Sequence, residues 1–158
     1  MKTKILVIAY ALMIIISGCR QSGKEVPANV KSAFNQKFAN AAGVKWSMEN
    51  KQEWEAEFKM AGKNYSANFD NAGLWVETEY EISMEEMPAE VKSTLAKESA
   101  GYKINTSEVA ESKDGKVFEF ILLKDKTETA LSIDPNGNVL NKEQVKEEEE
   151  KEEIEEDN

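Results

Sequence analysis

The chain has 158 residues, a formal net charge of −10, a single cysteine and no histidine; that length suits one ordinary domain or two very small ones. One cysteine excludes an internal disulfide, and the lack of histidine removes the commonest general base and a usual zinc ligand. The acidic balance argues against nucleic acid or an anionic bilayer surface as a direct partner.

At the N-terminus, Lys2 and Lys4 precede an unbroken apolar run from Ile5 to Ile16, followed by Ser17, Gly18 and Cys19. A charged start, an apolar stretch and small residues before a cut are the marks of an export signal. As a helix the run would rise only about 18 Å, against roughly 30 Å of hydrocarbon, so it is expected to be a cleaved signal over residues 1–18 and not an anchor. Ile16-Ser17-Gly18-Cys19 resembles a bacterial lipobox, which implies a diacylglyceryl group on the Cys19 thiol and a lipid bilayer as the first partner. The alternative is an ordinary signal with an incidental cysteine. Acylation would consume the one thiol and with it any cysteine nucleophile. Residues 19–26 then form a tether. Arg20 stands where an aspartate would retain the protein at the inner membrane, so the expected address is the outer membrane, periplasmic side.

After the tether, Pro27 suits a first helical turn, where its missing N–H costs nothing, and Val30, Phe34 and Phe38 recur at helical spacing. The period then changes to two. Trp54, Ala56 and Phe58 alternate with Glu53, Glu55 and Glu57, and Tyr65, Ala67 and Phe69 alternate with Asn64, Ser66 and Asn68, as in strands with one buried face. Strands are expected over Val44–Met48, Gln52–Met60, Lys63–Asp70 and Leu74–Ile82, with turns at Ala61-Gly62 and at Asp70-Asn71-Ala72-Gly73. A second helix opens at Pro88 and carries Val91 and Leu95; strands follow near Thr106–Ser112, Lys116–Lys124, Thr127–Asp134 and Asn138–Lys142. The tail, residues 144–158, is almost all acid. From Lys146 onward it holds nine carboxylates, two lysines and one apolar residue, so it cannot bury a core face and reads as disordered or a fraying helix. It is either a solubilising tail or a contact for cations or a basic partner.

Two segments recur. Val26-Pro27-Ala28-Asn29-Val30-Lys31-Ser32 returns as Met87-Pro88-Ala89-Glu90-Val91-Lys92-Ser93, and Ala67-Asn68-Phe69-Asp70-Asn71-Ala72-Gly73 returns as Leu131-Ser132-Ile133-Asp134-Pro135-Asn136-Gly137. The chain is therefore expected to be a duplicated unit, residues 27–83 and 84–143. This doubled pattern of proline-led helix, hairpin and apolar-x-apolar-Asp-x-x-Gly resembles the PepSY-like domains, and the tandem looks like the architecture of the β-lactamase inhibitor protein. The resemblance covers Val26 to about Glu143. It implies an α+β fold: two tandem helix-plus-antiparallel-strand repeats, a joined antiparallel sheet with the helices on one face, and a role in restraining or sensing other proteins. The inhibitor's disulfides and inhibitory loop residues have no match here, so inhibition of a β-lactamase is not implied.

Paired carboxylates could in principle run a glycosidase mechanism. At strand spacing, however, Glu53, Glu55, Glu57 and Glu77, Glu79, Glu81 read as a solvated sheet surface. Asp134-Pro135-Asn136-Gly137-Asn138 lacks the alternating ligands and distal glutamate of a calcium loop and reads as a hairpin turn. The expected activity is thus non-enzymatic, with no cofactor and no metal.

The two copies differ on the face away from the helices. Where the first places Glu53, Glu55, Glu57 and Lys59, the second places Val117, Glu119, Ile121 and Leu123, and Trp75 with its counterpart Val139 is expected on the same side. Trp75, Val117, Ile121, Leu123 and Val139 are accordingly the candidate binding residues, forming an exposed apolar patch rimmed by carboxylates. That patch either meets an envelope protein or peptide, or is covered by the tail, the tether or a second copy in a homodimer.

Overall fold

The structure is a computed structural model and describes residues 25–145; the expected signal, Cys19, most of the tether and nearly all of the acidic tail lie outside the described residues. Two helices, α1 (Ala28–Lys37) and α2 (Ala89–Glu98), begin one residue after Pro27 and Pro88. Both prolines are extended, at φ −56, ψ 143 and φ −57, ψ 151, so they stand just ahead of the first turn and not inside it. From there each carbonyl accepts the first helical N–H, from Lys31 at 3.1 Å and from Lys92 at 3.0 Å, as a capping residue does before its own angles become helical. α1 buries Val30 and Phe34, and α2 buries Val91 and Leu95, the residues that share a stripe at helical spacing.

The strands are β1 (Ala42–Met48), β2 (Glu53–Met60), β3 (Lys63–Asp70) and β4 (Trp75–Glu81) after α1, then β5 (Lys103–Ser112), β6 (Gly115–Lys124), β7 (Thr127–Ile133) and β8 (Val139–Gln144) after α2. All eight form one antiparallel sheet in chain order, so each strand pairs with its sequence neighbour and β4–β5 closes the middle. The fold is α+β with two helices and one eight-stranded sheet. β5 begins three residues earlier than its sequence pattern suggested, because its register shifts between Ile104 and Thr106. Such a bulge puts an extra residue into the strand and breaks the period of two on which a sequence reading depends. β1 is lengthened in the same way around Gly43, whose φ is 67.

Paired residues share a face, and one row runs across the sheet as Phe58, Tyr65, Tyr80, Val109, Phe118 and Ile133. Its first members pack with Val30, Phe34, Trp54 and Phe69 around α1, and its last with Val91, Leu95, Phe120 and Leu131 around α2. Tyr65 and Tyr80, with ring centroids 5.2 Å apart, join the two clusters. Both helices therefore lie on the same side of the sheet.

The two Asp-x-x-Gly segments are the hairpins β3–β4 and β7–β8. In each, the aspartate side chain accepts two backbone N–H groups of the turn: Ala72 and Leu74 on Asp70, Asn136 and Asn138 on Asp134, all at 2.8–2.9 Å. The Asp134 carboxylate also accepts from the Asn138 side-chain amide; these bonds hold its pKa below the usual aspartate range and use the oxygens that a calcium loop would need. Gly73 and Gly137 then pass so close to the first turn of α1 and α2 that an added Cβ would come within 3.1 Å of Asn29 O and 2.9 Å of Glu90 O. The two segments that recur in the sequence are thus the two that touch each other in each half.

Candidate functional site

Alternation that sends Trp54, Ala56 and Phe58 toward α1 sends Glu55, Glu57 and Lys59 to the opposite face of the sheet. Three polar rows cross that face: Ser47, Glu55, Asn68, Glu77 and Ser112; Lys45, Glu57, Ser66, Glu79, Ala110 and Val117; and Glu81, Glu108, Glu119, Ser132 and Asn141. A fourth row, Thr106, Ile121, Ala130 and Glu143, belongs to the second half alone.

This face is not a flat solvated surface. Ile121, Ala110 and Ala130 are only 2–3% exposed although both helices are on the other side, and a cavity of about 450 Å³ opens over β1 to β5, between Lys45, Glu55, Glu57, Ser66, Glu79 and Glu108. A long antiparallel sheet twists and coils; burial without a covering helix, together with a cavity, is what a sheet curled toward this face produces.

The curl desolvates carboxylates. Burial, reinforced by Glu77, Glu119, Glu108 and Glu55, pushes Glu79 up to about 8. Burial, then Glu77 and Glu108, pushes Glu119 to about 7. Burial also raises Glu108, with help from Glu81. Glu55 and Glu77 are raised by burial and by neighbouring acids, against opposing hydrogen bonds from Ser47 at 3.1 Å and Asn68 at 3.5 Å. The expectation that Glu55, Glu77 and Glu79 lie on a solvated surface is therefore corrected: they are half-buried and crowd one another. Asn68, 5% exposed, sits between Glu55 and Glu77, and its Oδ1 has no hydrogen-bond donor among the described residues.

Of the five candidate binding residues, the structure brings three together. Val117, Ile121 and Leu123 follow one another along β6 on the curled face, with Glu119 among them. The exposed patch expected from the sequence needs correction here too, since Ile121 is solvent-free and Val117 and Leu123 are half-buried. Trp75 and Val139 lie on the other side. Trp75 pairs with Phe69, its indole N–H donates to Thr78 Oγ1 at 2.9 Å, and the Lys37 ammonium sits 3.6 Å above its ring. Val139 pairs with Ile133 of the α2 core and remains 43% exposed at the sheet margin. Both were misplaced for one reason: the register slips between Asn68 and Phe69 and again between Ser132 and Ile133, so the residue opening each following strand changes sides relative to its own alternation.

The crowded acids themselves escaped the sequence reading. A signal was present in Ser66 and Asn68, short polar residues at strand positions flanked on both sides by carboxylates.

Residues 52–141 match the model of a family provisionally described as beta-lactamase-inhibitor-like, PepSY-like. Among solved structures, the chain resembles a DUF2874 family protein from Bacteroides ovatus ATCC 8483, with TM-score 0.72 and 23% identity over 78% of this chain and 90% of that one. A BLIP-like protein from Bacteroides fragilis NCTC 9343 gives TM-score 0.71 and 17% identity over 78% and 89%. A protein from Bacteroides eggerthii DSM 20697, provisionally named as periplasmic, gives 0.72 and 21% over 77% and 91%. At these identities the likeness is one of fold. No curated protein matches the chain.

Proposed function

We propose, from the premise that the chain belongs to the PepSY-like family, that it is a non-enzymatic envelope lipoprotein that binds and restrains a protein or peptide partner through the curled face of its sheet. The observation that carries this reading is the composition of that face. Half-buried Val117 and Leu123 flank Ile121, 2% exposed, along one strand; Val117 is joined through Ala110 to Glu79 at a cavity lined by carboxylates, and among the described residues neither helix covers them. Apolar anchors with a polar rim are the anatomy of a protein interface. The inhibitor-like description of the family and the BLIP-like fold support a restraining role.

In this reading the chain is a duplicated unit whose helix-bearing side holds the fold while the other side is free to specialise. The envelope address rests on the lipobox-like Ile16 to Cys19, and the likeness to a protein provisionally named as periplasmic agrees with it. A single acyl chain holds a protein only marginally while several hold it stably; Cys19→Ser is therefore expected to move the chain from the membrane to the soluble fraction or leave it uncut.

Leu123→Lys tests the face. The variant should keep its thermal midpoint within a few degrees and lose the partner that the native chain retains on cross-linking in envelope extract. Retention of that partner would refute the assignment of the face. A second reading, in which the same face closes a homodimer, is distinguished by the mass of the solubilised native chain: a tight dimer that Leu123→Lys turns into monomer would replace the first reading.

A further inference from the structure

The curled face is short of positive charge and of hydrogen-bond donors. Around Glu79 stand Glu55 and Glu57 from β2, Glu108 from β5, Glu119 from β6 and Glu77 and Glu81 on its own strand, while β3 contributes only the neutral Ser66 and Asn68. Lys45 and Lys59 are the basic side chains at the cavity, and both belong to its β1–β2 side. The ion pairs among the described residues lie elsewhere, at Lys31–Glu25, Lys63–Glu86, Lys116–Glu111 and Lys142–Glu98. Asn68 Oδ1, buried between Glu55 and Glu77, has no donor among the described residues. Buried acceptors of this kind are normally satisfied in a functional state, and like charges brought together raise one another's pKa until something positive or a proton arrives.

We propose that the carboxylate half of this face receives a basic side chain, an arginine or lysine of the bound partner, while Val117, joined to Glu79 through Ala110 across the sheet, contacts an adjacent apolar residue of the same segment. This rests on the protein-binding reading above and names the chemistry of its partner. A guanidinium or ammonium has only donors, so it complements a cavity whose carboxylates Glu55, Glu57, Glu79, Glu81 and Glu108 outnumber its lysines Lys45 and Lys59, and charge-assisted bonds to carboxylates are the strong class. A bare metal ion fits less well: among the described residues, no three acids converge as a metal-holding group. The partly protonated carboxyls give the contact a signature. Binding a cation must displace the protons that burial and mutual repulsion keep on Glu79 and Glu119, so capture releases protons and strengthens as pH rises.

The test titrates the full chain in detergent with a hexapeptide of alternating leucine and arginine, with its glutamine-for-arginine counterpart, and with calcium chloride alone. Calorimetry is run in buffers of different ionisation heat from about pH 6 to pH 9. The expected result is roughly tenfold or greater preference for the arginine peptide, proton release on binding, and affinity that climbs with pH. In Glu79→Gln with Glu119→Gln the preference should shrink and the pH dependence flatten. Both replacements are neutral and of nearly unchanged shape; a thermal midpoint checks that the variant is folded, and Glu79→Gln alone serves if it is not. The proposal is overturned if the two peptides bind alike, if neither binds at any pH, or if calcium alone occupies the site as tightly as the arginine peptide. A cross-linked partner that is lost in Leu123→Lys but kept in the glutamine variants would overturn this inference while leaving the protein-binding reading in place.

Discussion

On the helix side of the sheet the two halves are chemically alike, and on the other side they are not. Trp54, Ala56 and Phe58 beneath α1 correspond to Phe118, Phe120 and Leu122 beneath α2, and all six are buried. Across the backbone, Glu53, Glu55, Glu57 and Lys59 correspond to Val117, Glu119, Ile121 and Leu123. A helix must be packed against apolar side chains wherever it sits, so that side has little freedom. Among the described residues the opposite side has no helix to satisfy, and there the strands of the first half carry most of a crowded acid cluster, completed by Glu108 and Glu119, while β6 carries an apolar strip. Differences confined to the side that packing does not dictate are where function is best sought.

The largest expected effect tests whether the apolar strip is structural. Ile121→Glu places a charge at a position 2% exposed, and urea denaturation should register a loss of roughly 2–4 kcal/mol. The reverse exchange, Glu57→Ile at the half-buried counterpart, should stay within about 1 kcal/mol. Equal losses in the two would erase the distinction between the halves.

The next effect tests their likeness on the helix side. Gly73 and Gly137 have φ 83 and 84 and lie against α1 and α2. Alanine at either position meets both the left-handed backbone and the carbonyl of the helix, which should cost about 1–3 kcal/mol. The loss should be larger for Gly137→Ala, whose Cβ would come to 2.9 Å against 3.1 Å.

Smaller, and specific to the acid cavity, is a pH dependence. Glu79 near 8 and Glu119 near 7 stand above an ordinary value of 4.5, so between these limits the folded chain holds protons that the unfolded chain has released. Stability contributed by these groups therefore falls as pH rises from about 4.5 to 8. Thermal midpoints across that range should show the decline, and Glu79→Gln should flatten it; an unchanged slope would mean that the carboxyls are better solvated than their burial indicates.

The smallest effect concerns Trp75. The Lys37 ammonium over its ring has no equivalent at exposed Val139, so Lys37→Met should lose about 0.5–1 kcal/mol, while Val139→Ala should remain within about 0.5 kcal/mol. Chemical denaturation of the two single variants would measure the difference.

Much of this molecule can be read from its residues alone. Val30, Phe34, Val91 and Leu95 mark one stripe of each helix, strict alternation in β2 marks which side meets it, and aspartate with glycine marks the hairpins; each is a local consequence of backbone geometry. The recurrence of the proline-led helix and of Asp-x-x-Gly is legible in the residues; that the two segments touch is not. What alternation could not supply was phase across an irregularity: slips of register beside Phe69 and Ile133 carried Trp75 and Val139 to the helix side, and the bulge near Asn105 concealed the start of β5.

The sequence by itself determined the composition of each face, because side-chain direction in a strand follows from the backbone. Only the tertiary structure decided how much water each face keeps, because that depends on the curl of eight strands together. The curl turned glutamates expected on an open surface into a desolvated cluster and left Ile121 only 2% exposed with no helix above it among the described residues; solvation belongs to the assembled sheet, and no local pattern of residues encodes it.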